Sequence, residues 1–511
     1  MSGPNHSGKS RRLRIGLALV AAGAITFGAI AEGFAQRGGF GGRGFGGGNF
    51  GGRMPGGDGP RNPGGGYPGG PGFPGRGGGI IVPGGYGGPG TVVVVDDDDD
   101  APVRHGRRKT KKQSQKPQKQ QKQMAQRGGF HVPPANERRF VPNEVLLNIS
   151  TAASLRAVDA IAQKYRLTRL DVQDFTLTRH RLARLRINDG RPVAVVIRSL
   201  RSDARVLGAQ PNYLYAMQQG AAVPAAADPA QYSLAKLHLP EAHALAKGNR
   251  VLVAVVDTPI DAAHPDLAGV VEASFDATGA ADKPHAHGTG IASVIAAHGK
   301  LTGAAPAVRI LAAHAFSSAA SSGTSLNILK GLDWAGKLKA NIVNMSFAGP
   351  ADAELHEMLT ALRANGAVLV AAVGNAGPKS APLYPAADPS VIAVTATDMD
   401  DKPFSLANRG THIAVAAPGV NILAAAPDGG YQMPSGTSFA AAQISGIAAL
   451  LLERNPKLDA AAVRRVLMAT ARDLGPPGHD DQFGSGLADA LAAVNAASPK
   501  SSDASAATPA N

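Results

Sequence analysis

Asp257, Asn375, Ser438 and a histidine at 285 or 287 are the residue types that acyl transfer requires. The reaction needs a nucleophile, a base to take its proton, a group to orient that base, and donors for the oxyanion. Ser438 follows Gly436-Thr437 and opens a run of small and apolar residues reaching about Leu452, so it stands at a helix N-terminus. A lone serine there is ordinarily a cap, but a helix start also offers backbone N–H groups and a dipole to a developing negative charge. His285-Ala286-His287-Gly288-Thr289-Gly290 begins a second small-residue helix, and spacing alone does not choose between its two histidines. Asn375, in Gly374-Asn375-Ala376-Gly377, offers an amide donor, although an asparagine among glycines also suits a turn.

The elements around these residues fit one architecture. Residues 251–256 and 367–373 are continuous apolar runs of strand length, ending at Asp257 and just before Asn375. Buried strands alternating with longer helical stretches from Gln231 onward predict an α/β fold built on a doubly wound parallel sheet. Such sheets gather their sites at the carboxyl ends of the strands, where Asp257 and Asn375 fall.

Four blocks in this segment resemble those of the subtilisin-like serine proteases: Val253-Ala254-Val255-Val256-Asp257-Thr258, His287-Gly288-Thr289, Ala371-Ala372-Val373-Gly374-Asn375 and Gly436-Thr437-Ser438-Phe439-Ala440-Ala441. Their order, Asp then His then Ser, is also that of the family. His264-Pro265-Asp266-Leu267, Asn344-Met345-Ser346, Tyr384-Pro385-Ala386 and Val391-Ile392-Ala393-Val394 add support, and the likeness spans about 231–496. It implies a triad of Asp257, His287 and Ser438, with Asn375 as oxyanion donor, and so selects His287 over His285. It further implies an extended polypeptide substrate beside Ser346, Phe347, Ala348 and Gly349. Small residues such as Ala372 and Gly374 would wall a first-position pocket with an apolar preference. Three departures stand out: Pro259 replaces a usual glycine, Gly290 a usual second histidine, and Ala442-Gln443 a usual Pro-His. Asp266 matches a calcium ligand of some relatives, but one carboxylate is not a site, and neither a metal nor another cofactor is expected.

The remainder of the 511 residues divides by composition. Residues 1–35 read as a secretory signal peptide: Arg11, Arg12 and Arg14 precede an apolar stretch, and Gly33-Phe34-Ala35 suits a cut. Retention of 15–31 as a membrane anchor is the alternative. Residues 36–137 form a Gly/Pro-rich, then charged, arm too polar to bury a core. From Arg104 to Arg127 it has ten Lys/Arg and no acidic residue. That arm is a candidate for contact with an anionic surface or nucleic acid. Residues 138–219 predict a small α+β sandwich, with strand-like runs at 141–149, about 176–177 and 184–187, and helices starting after Ser154 and at Val193. This stretch resembles the inhibitory propeptide domain of the same proteases, notably through Pro211-Asn212-Tyr213-Leu214-Tyr215, which implies an intramolecular inhibitor. An Ala-rich joint at 220–230 is the expected place of self-cleavage, and 497–511 reads as a tail.

The formal charge of +14 is uneven. Residues 138–219 hold 14 basic and 6 acidic groups, a net of +8; residues 228–499 hold 18 and 23, a net of −5. The absence of cysteine excludes disulfides, thiolate metal sites and a cysteine nucleophile. The expected function is a secreted or periplasmic serine endopeptidase made as a zymogen. The competing readings are a pseudoprotease impaired at Pro259 and Gly290, and a binding protein acting through its arm.

Overall fold

The computed structural model describes residues 129–219 and 231–498. The signal peptide, the arm up to residue 128, the joint at 220–230 and the tail beyond 498 lie outside the described residues.

Four antiparallel strands build the amino-terminal sandwich: β1 (Phe140–Ile149), β2 (Leu167–Asp174), β3 (Arg181–Ile187) and β4 (Val206–Met217), in the order β4-β1-β3-β2. Strand alternation sends Val145, Leu147 and Ile149 to one face and Leu146 to the other. The first face carries α1 (Leu155–Lys164) and α2 (Val193–Leu200). Ser154 caps α1 by accepting from Ala157 N at 3.2 Å, and Val158, Ile161 and Ala162 are buried as their spacing predicts, whereas Leu155 is exposed. The strand expected near Thr176–Leu177 is instead the turn between β2 and β3, and β2 lies upstream. The chain also joins this unit before Phe140: Phe130 bridges to Ala209, and His131 N donates to Ala209 O at 2.8 Å.

The larger unit contains a seven-stranded parallel sheet. Its strands are β5 (Leu252–Asp257), β6 (Val271–Asp276), β7 (Arg309–His314), β9 (Ile342–Met345), β11 (Val368–Ala372), β12 (Ile392–Thr397) and β13 (Ile413–Pro418). Two short strands, β8 (Ser322–Thr324) and β10 (Phe347–Ala348), stand apart from it. The order β13-β12-β11-β9-β5-β7-β6 puts β7 and β9 on opposite sides of β5, so the chain reverses its winding at the end of the strand that carries Asp257. Helices α3 (Ala286–Ala296) and α6 (Thr437–Arg454) cover one face, and α4 (Ser325–Lys337) and α5 (Ala353–Ala364) cover the other. Val253 and Val255 point to the first face, and Ala254 and Val256 to the second. Small residues let α6 run close to the sheet, and its residues 437–451 are all buried.

The second face of the sandwich sheet packs on α4 and α5, where Leu146, Phe175, Leu182, Tyr213 and Tyr215 share a core with Leu329, Leu355 and Met358. Burying each such side chain contributes about 1.5–3 kcal/mol before ordering costs. The sandwich also closes the helix starts: Asn212 Oδ1 accepts from Leu326 N at 3.4 Å and Gln210 Oε1 from Glu354 N at 3.4 Å. Among the described residues, no helix is long and apolar enough to cross a membrane.

Candidate active site

Three elements bring the predicted residues together. Asp257 ends β5 and is 1% exposed; its Oδ1 accepts from Thr258 N at 2.7 Å and Thr258 Oγ1 at 3.0 Å. The same oxygen lies 2.7 Å from His287 Nδ1. His287 occupies the first turn of α3 and is fully buried. Its Nε2 lies 3.2 Å from Ser438 Oγ. A carboxylate–imidazole–hydroxyl chain of this kind holds the ring in one tautomer and leaves a bare nitrogen facing the hydroxyl.

The competing histidine has a different task. His285 is the N-cap of α3, and its Nδ1 accepts from His287 N at 3.1 Å. Burial pushes the His285 imidazole below its ordinary pKa, with the neighbouring His287 adding to the effect, which favours the neutral ring that a cap acceptor requires. Pro259 O accepts from His285 N at 2.9 Å, and the Gln432 amide lies beside Gly290 while donating to Ala286 O at 2.6 Å. Asp257, His287 and Ser438 keep these spacings with both departures in place.

Ser438 is not a cap. The N-cap of α6 is Gly436, and Ser438 stands in the first turn. Its Oγ lies 2.7 Å from the carbonyl oxygen of Gln218 and 3.1 Å from that of Ser346. Ser438 N approaches the same Gln218 oxygen at 3.4 Å. Asn375 Oδ1 accepts from Thr437 N at 3.2 Å and Thr437 Oγ1 at 2.8 Å. Its Nδ2 is buried and has no partner among the described residues. An amide donor without an acceptor beside a helix N-terminus is what an oxyanion would occupy.

Residues 346–349 form one wall of a cleft that the end of β4 occupies. Met217 and Ala216 pair antiparallel with Phe347 and Ala348, while Leu214, Tyr215 and Ala216 pair with Thr324, Gly323 and Ser322 of β8. Gln218 N donates to Ser346 O at 3.1 Å, and Gln218 Oε1 accepts from Asn375 N at 2.7 Å. Gly349 faces Tyr215, whose ring lies edge-on to Phe347 at 5.8 Å. Ala372 and Gly374 are buried at the end of β11, and Gly374 N donates to Thr437 Oγ1 at 3.3 Å. A Cβ at Gly436 would stand 2.3 Å from the Gln218 carbonyl oxygen, so glycine there is what lets a peptide group reach the serine.

Residues outside the sequence prediction complete the site. Thr258 bonds both Asp257 and Gly288 N, the latter at 3.0 Å through Oγ1. Its adjacency to Asp257 is the signal that could have found it. Gln432 and the Gln218 peptide lie far along the chain from the residues they meet and carry no such signal. Asp266 is fully buried and accepts from Lys300 N.

The subtilase family matches residues 248–486. Subtilisin DY of Bacillus licheniformis is 36% identical over 256 residues, which cover 48% of this chain and 92% of that protein. Subtilisin E of Bacillus subtilis (strain 168) is 34% identical over 273 residues, 52% of this chain and 71% of its own. Fervidolysin from Fervidobacterium pennivorans, a keratinolytic enzyme related to subtilisin, shares the fold with a TM-score of 0.61 at 23% identity, covering 72% of this chain and 63% of that one. The chain belongs to the subtilase family and is a subtilisin-like serine endopeptidase.

Proposed function

We propose that this endopeptidase is made as an exported zymogen whose first substrate is its own Gln218–Gln219 bond. The observation that carries this reading is the Gln218 carbonyl oxygen 2.7 Å from Ser438 Oγ, on a strand paired with both walls of the cleft. Ser438 Oγ attacks the carbonyl carbon and His287 Nε2 takes the hydroxyl proton. Asp257 orients the ring and stabilises its charge. Ser438 N and Asn375 Nδ2 receive the oxyanion. As the C–N bond breaks, His287 returns the proton to the Gln219 amine, and water then releases the acyl group by the reverse route.

After the cut, the sandwich, now ending at Gln218, remains as an inhibitor, because its last strand still fills the cleft that Ser346, Phe347, Ala348, Gly349, Ala372 and Gly374 offer to other polypeptides. Export through residues 1–35 places the mature enzyme outside the cytoplasm. The cut falls just upstream of the 220–230 joint where composition alone led it to be expected. Intact mass and N-terminal sequencing of the wild type beside Ser438→Ala test the reading. Wild type should begin at Gln219 and hydrolyse casein, whereas the variant should stay uncut and inactive. Processing of Ser438→Ala, or a wild-type N-terminus elsewhere, refutes it.

A further inference from the structure

Behind the cleft, where the sandwich meets α5, four polar side chains converge. His180 closes the turn between β2 and β3, and Asn148 lies on the adjoining β1. Glu354 and Glu357 stand three apart, on one face of α5. His180 Nδ1 lies 3.4 Å from Glu354 Oε2 and 3.2 Å from Glu357 Oε2. Asn148 Nδ2 lies 3.0 Å from His180 Nδ1 and donates to Glu354 Oε1 at 3.0 Å.

With the Asn148 amide as placed and both carboxyl groups ionised, neither protonation state of His180 satisfies every contact. A protonated Nδ1 serves the carboxylates but opposes the Asn148 N–H. A bare Nδ1 accepts from Asn148 but faces two carboxylate oxygens. Asn148 adds a second sign: it is only 7% exposed, its Nδ2 meets the cluster, and its Oδ1 is buried with no partner among the described residues.

We propose that His180, Glu354 and Glu357 bind a divalent first-row metal ion of the zinc class that joins the sandwich to the catalytic unit. The ligand atoms of the three lie within 4.8 Å of one another, and among the described residues this is the one such grouping of His and acidic side chains. Tetrahedral sites have metal–ligand bonds of about 2.0–2.1 Å, which set their ligand atoms about 3.3–3.4 Å apart. The distances from Nδ1 to the two carboxylates match that edge. Rotation of the Asn148 amide brings Oδ1 toward the ion as a fourth ligand and removes the N–H conflict, at the cost of the bond to Glu354 Oε1 and with Nδ2 taking the buried place that Oδ1 leaves. One imidazole with two carboxylates suits zinc, cobalt or manganese, and not calcium, which takes six to eight oxygens at longer range. This site runs against the sequence expectation of no metal.

The ligands come from both sides of a contact that must open before other substrates enter. The ion therefore delays activation, a consequence that rests on the inhibitory reading of the sandwich. The test uses the full-length Ser438→Ala precursor, with His180→Gln and Glu357→Gln each added to it, all shown folded by circular dichroism without metal. Titration with ZnCl2 followed by calorimetry, and with CoCl2 followed by visible absorption, should give one more equivalent bound in the parent than in either variant. Failing a full loss, affinity at that site should fall by about 100-fold or more. Zinc should also raise the unfolding temperature of the parent alone. Equal stoichiometry and affinity in the three folded proteins overturn the site. With wild-type precursor, zinc should slow the appearance of casein hydrolysis at least tenfold. Binding that is intact without such a delay leaves the metal site standing and removes the inhibitory reading.

Discussion

Gly288→Ala tests whether the Asp257–His287 pair depends on backbone contact rather than on the two side chains alone. An added Cβ would stand 2.3 Å from Thr258 O and 3.0 Å from Thr258 Oγ1. Cβ contacts under 3.0 Å are essentially never seen, so helix and strand end must separate by at least 0.7 Å, the difference between 3.0 and 2.3. The blocking atom is backbone, and a rotamer change cannot relieve it. Thr258 holds Asp257 Oδ1 through two hydrogen bonds, and His287 precedes residue 288, so the separation falls on both ends of a 2.7 Å contact. A misplacement near 1 Å costs about 100-fold in rate, so kcat/KM should fall about 30- to 100-fold, roughly 2–2.7 kcal/mol of transition-state stabilisation. The three atoms nearest the added Cβ all belong to Thr258 and none to the strand in the cleft, so the loss should lie in kcat, with KM changed less than about twofold. Stability should drop by about 1–3 kcal/mol from overpacking. Initial rates on a chromogenic peptide anilide, with thermal melts of the same samples, measure all three. A folded Gly288→Ala enzyme within threefold of the parent refutes the reasoning.

Gly290→Ala is the counterpart: its Cβ would meet the Gln432 amide end at 2.9 Å, a flexible group, so peptide hydrolysis should stay within about threefold of the parent. Asn375→Ala should lower kcat by about 10²–10³-fold with little change in KM, the range established on subtilisin itself for an oxyanion donor; an unchanged kcat excludes that role. Burial pushes His243, His314 and His412 below 6.5, so the unfolded chain binds protons first, and stability present above pH 6.5 should decline as pH falls below it. In the metal-free protein His180 is raised by its bond to Glu354 and works in the opposite sense. His243→Gln, which keeps a donor for Ala304 O, isolates one contribution and should flatten the melting profile between pH 7 and 5. The opposite net charges of the sandwich and the catalytic segment predict that salt slows their association more than their separation. Inhibition kinetics with residues 129–218 added in trans measure this, and salt-independent association counts against it.

Residue type and local order carried much of the site. Asp257 and Asn375 were legible because buried parallel strands read as unbroken apolar runs and end where sites form. Ser438 was legible by its place at a helix start, although only the structure separates it from the cap, which is Gly436. Strand β2 was hidden because LTRLDVQD has only one fully buried residue and no clear alternation. Contacts between distant segments left no local mark: His180 and Glu354 are 174 positions apart, and Gln218 and Ser438 are 220 apart. Neither the cluster of His180 with Glu354 and Glu357 nor the peptide in the cleft could be read from either partner by itself.

If the proposed cut after Gln218 occurs, strand β4 explains its position. Its upper half is fixed in the sandwich sheet by pairing with β1, where Leu146 faces Gln210, and its lower half is fixed in the cleft, where Met217 faces Phe347. The two registers are rungs of one strand, so a slip of one residue in either would turn Tyr213 and Tyr215 out of the shared core. That core, and not the first-position pocket, decides which carbonyl reaches Ser438. A polar residue such as Gln218 can therefore occupy the first position beside small, apolar walls: its side chain folds back, with Nε2 donating to Ala216 O at 2.8 Å and Oε1 held by Asn375 N. Substrates in trans have no sandwich to fix their register and must rely on the pocket. On this reading the bond cut in maturation and the preference shown toward other proteins are set by different parts of the structure.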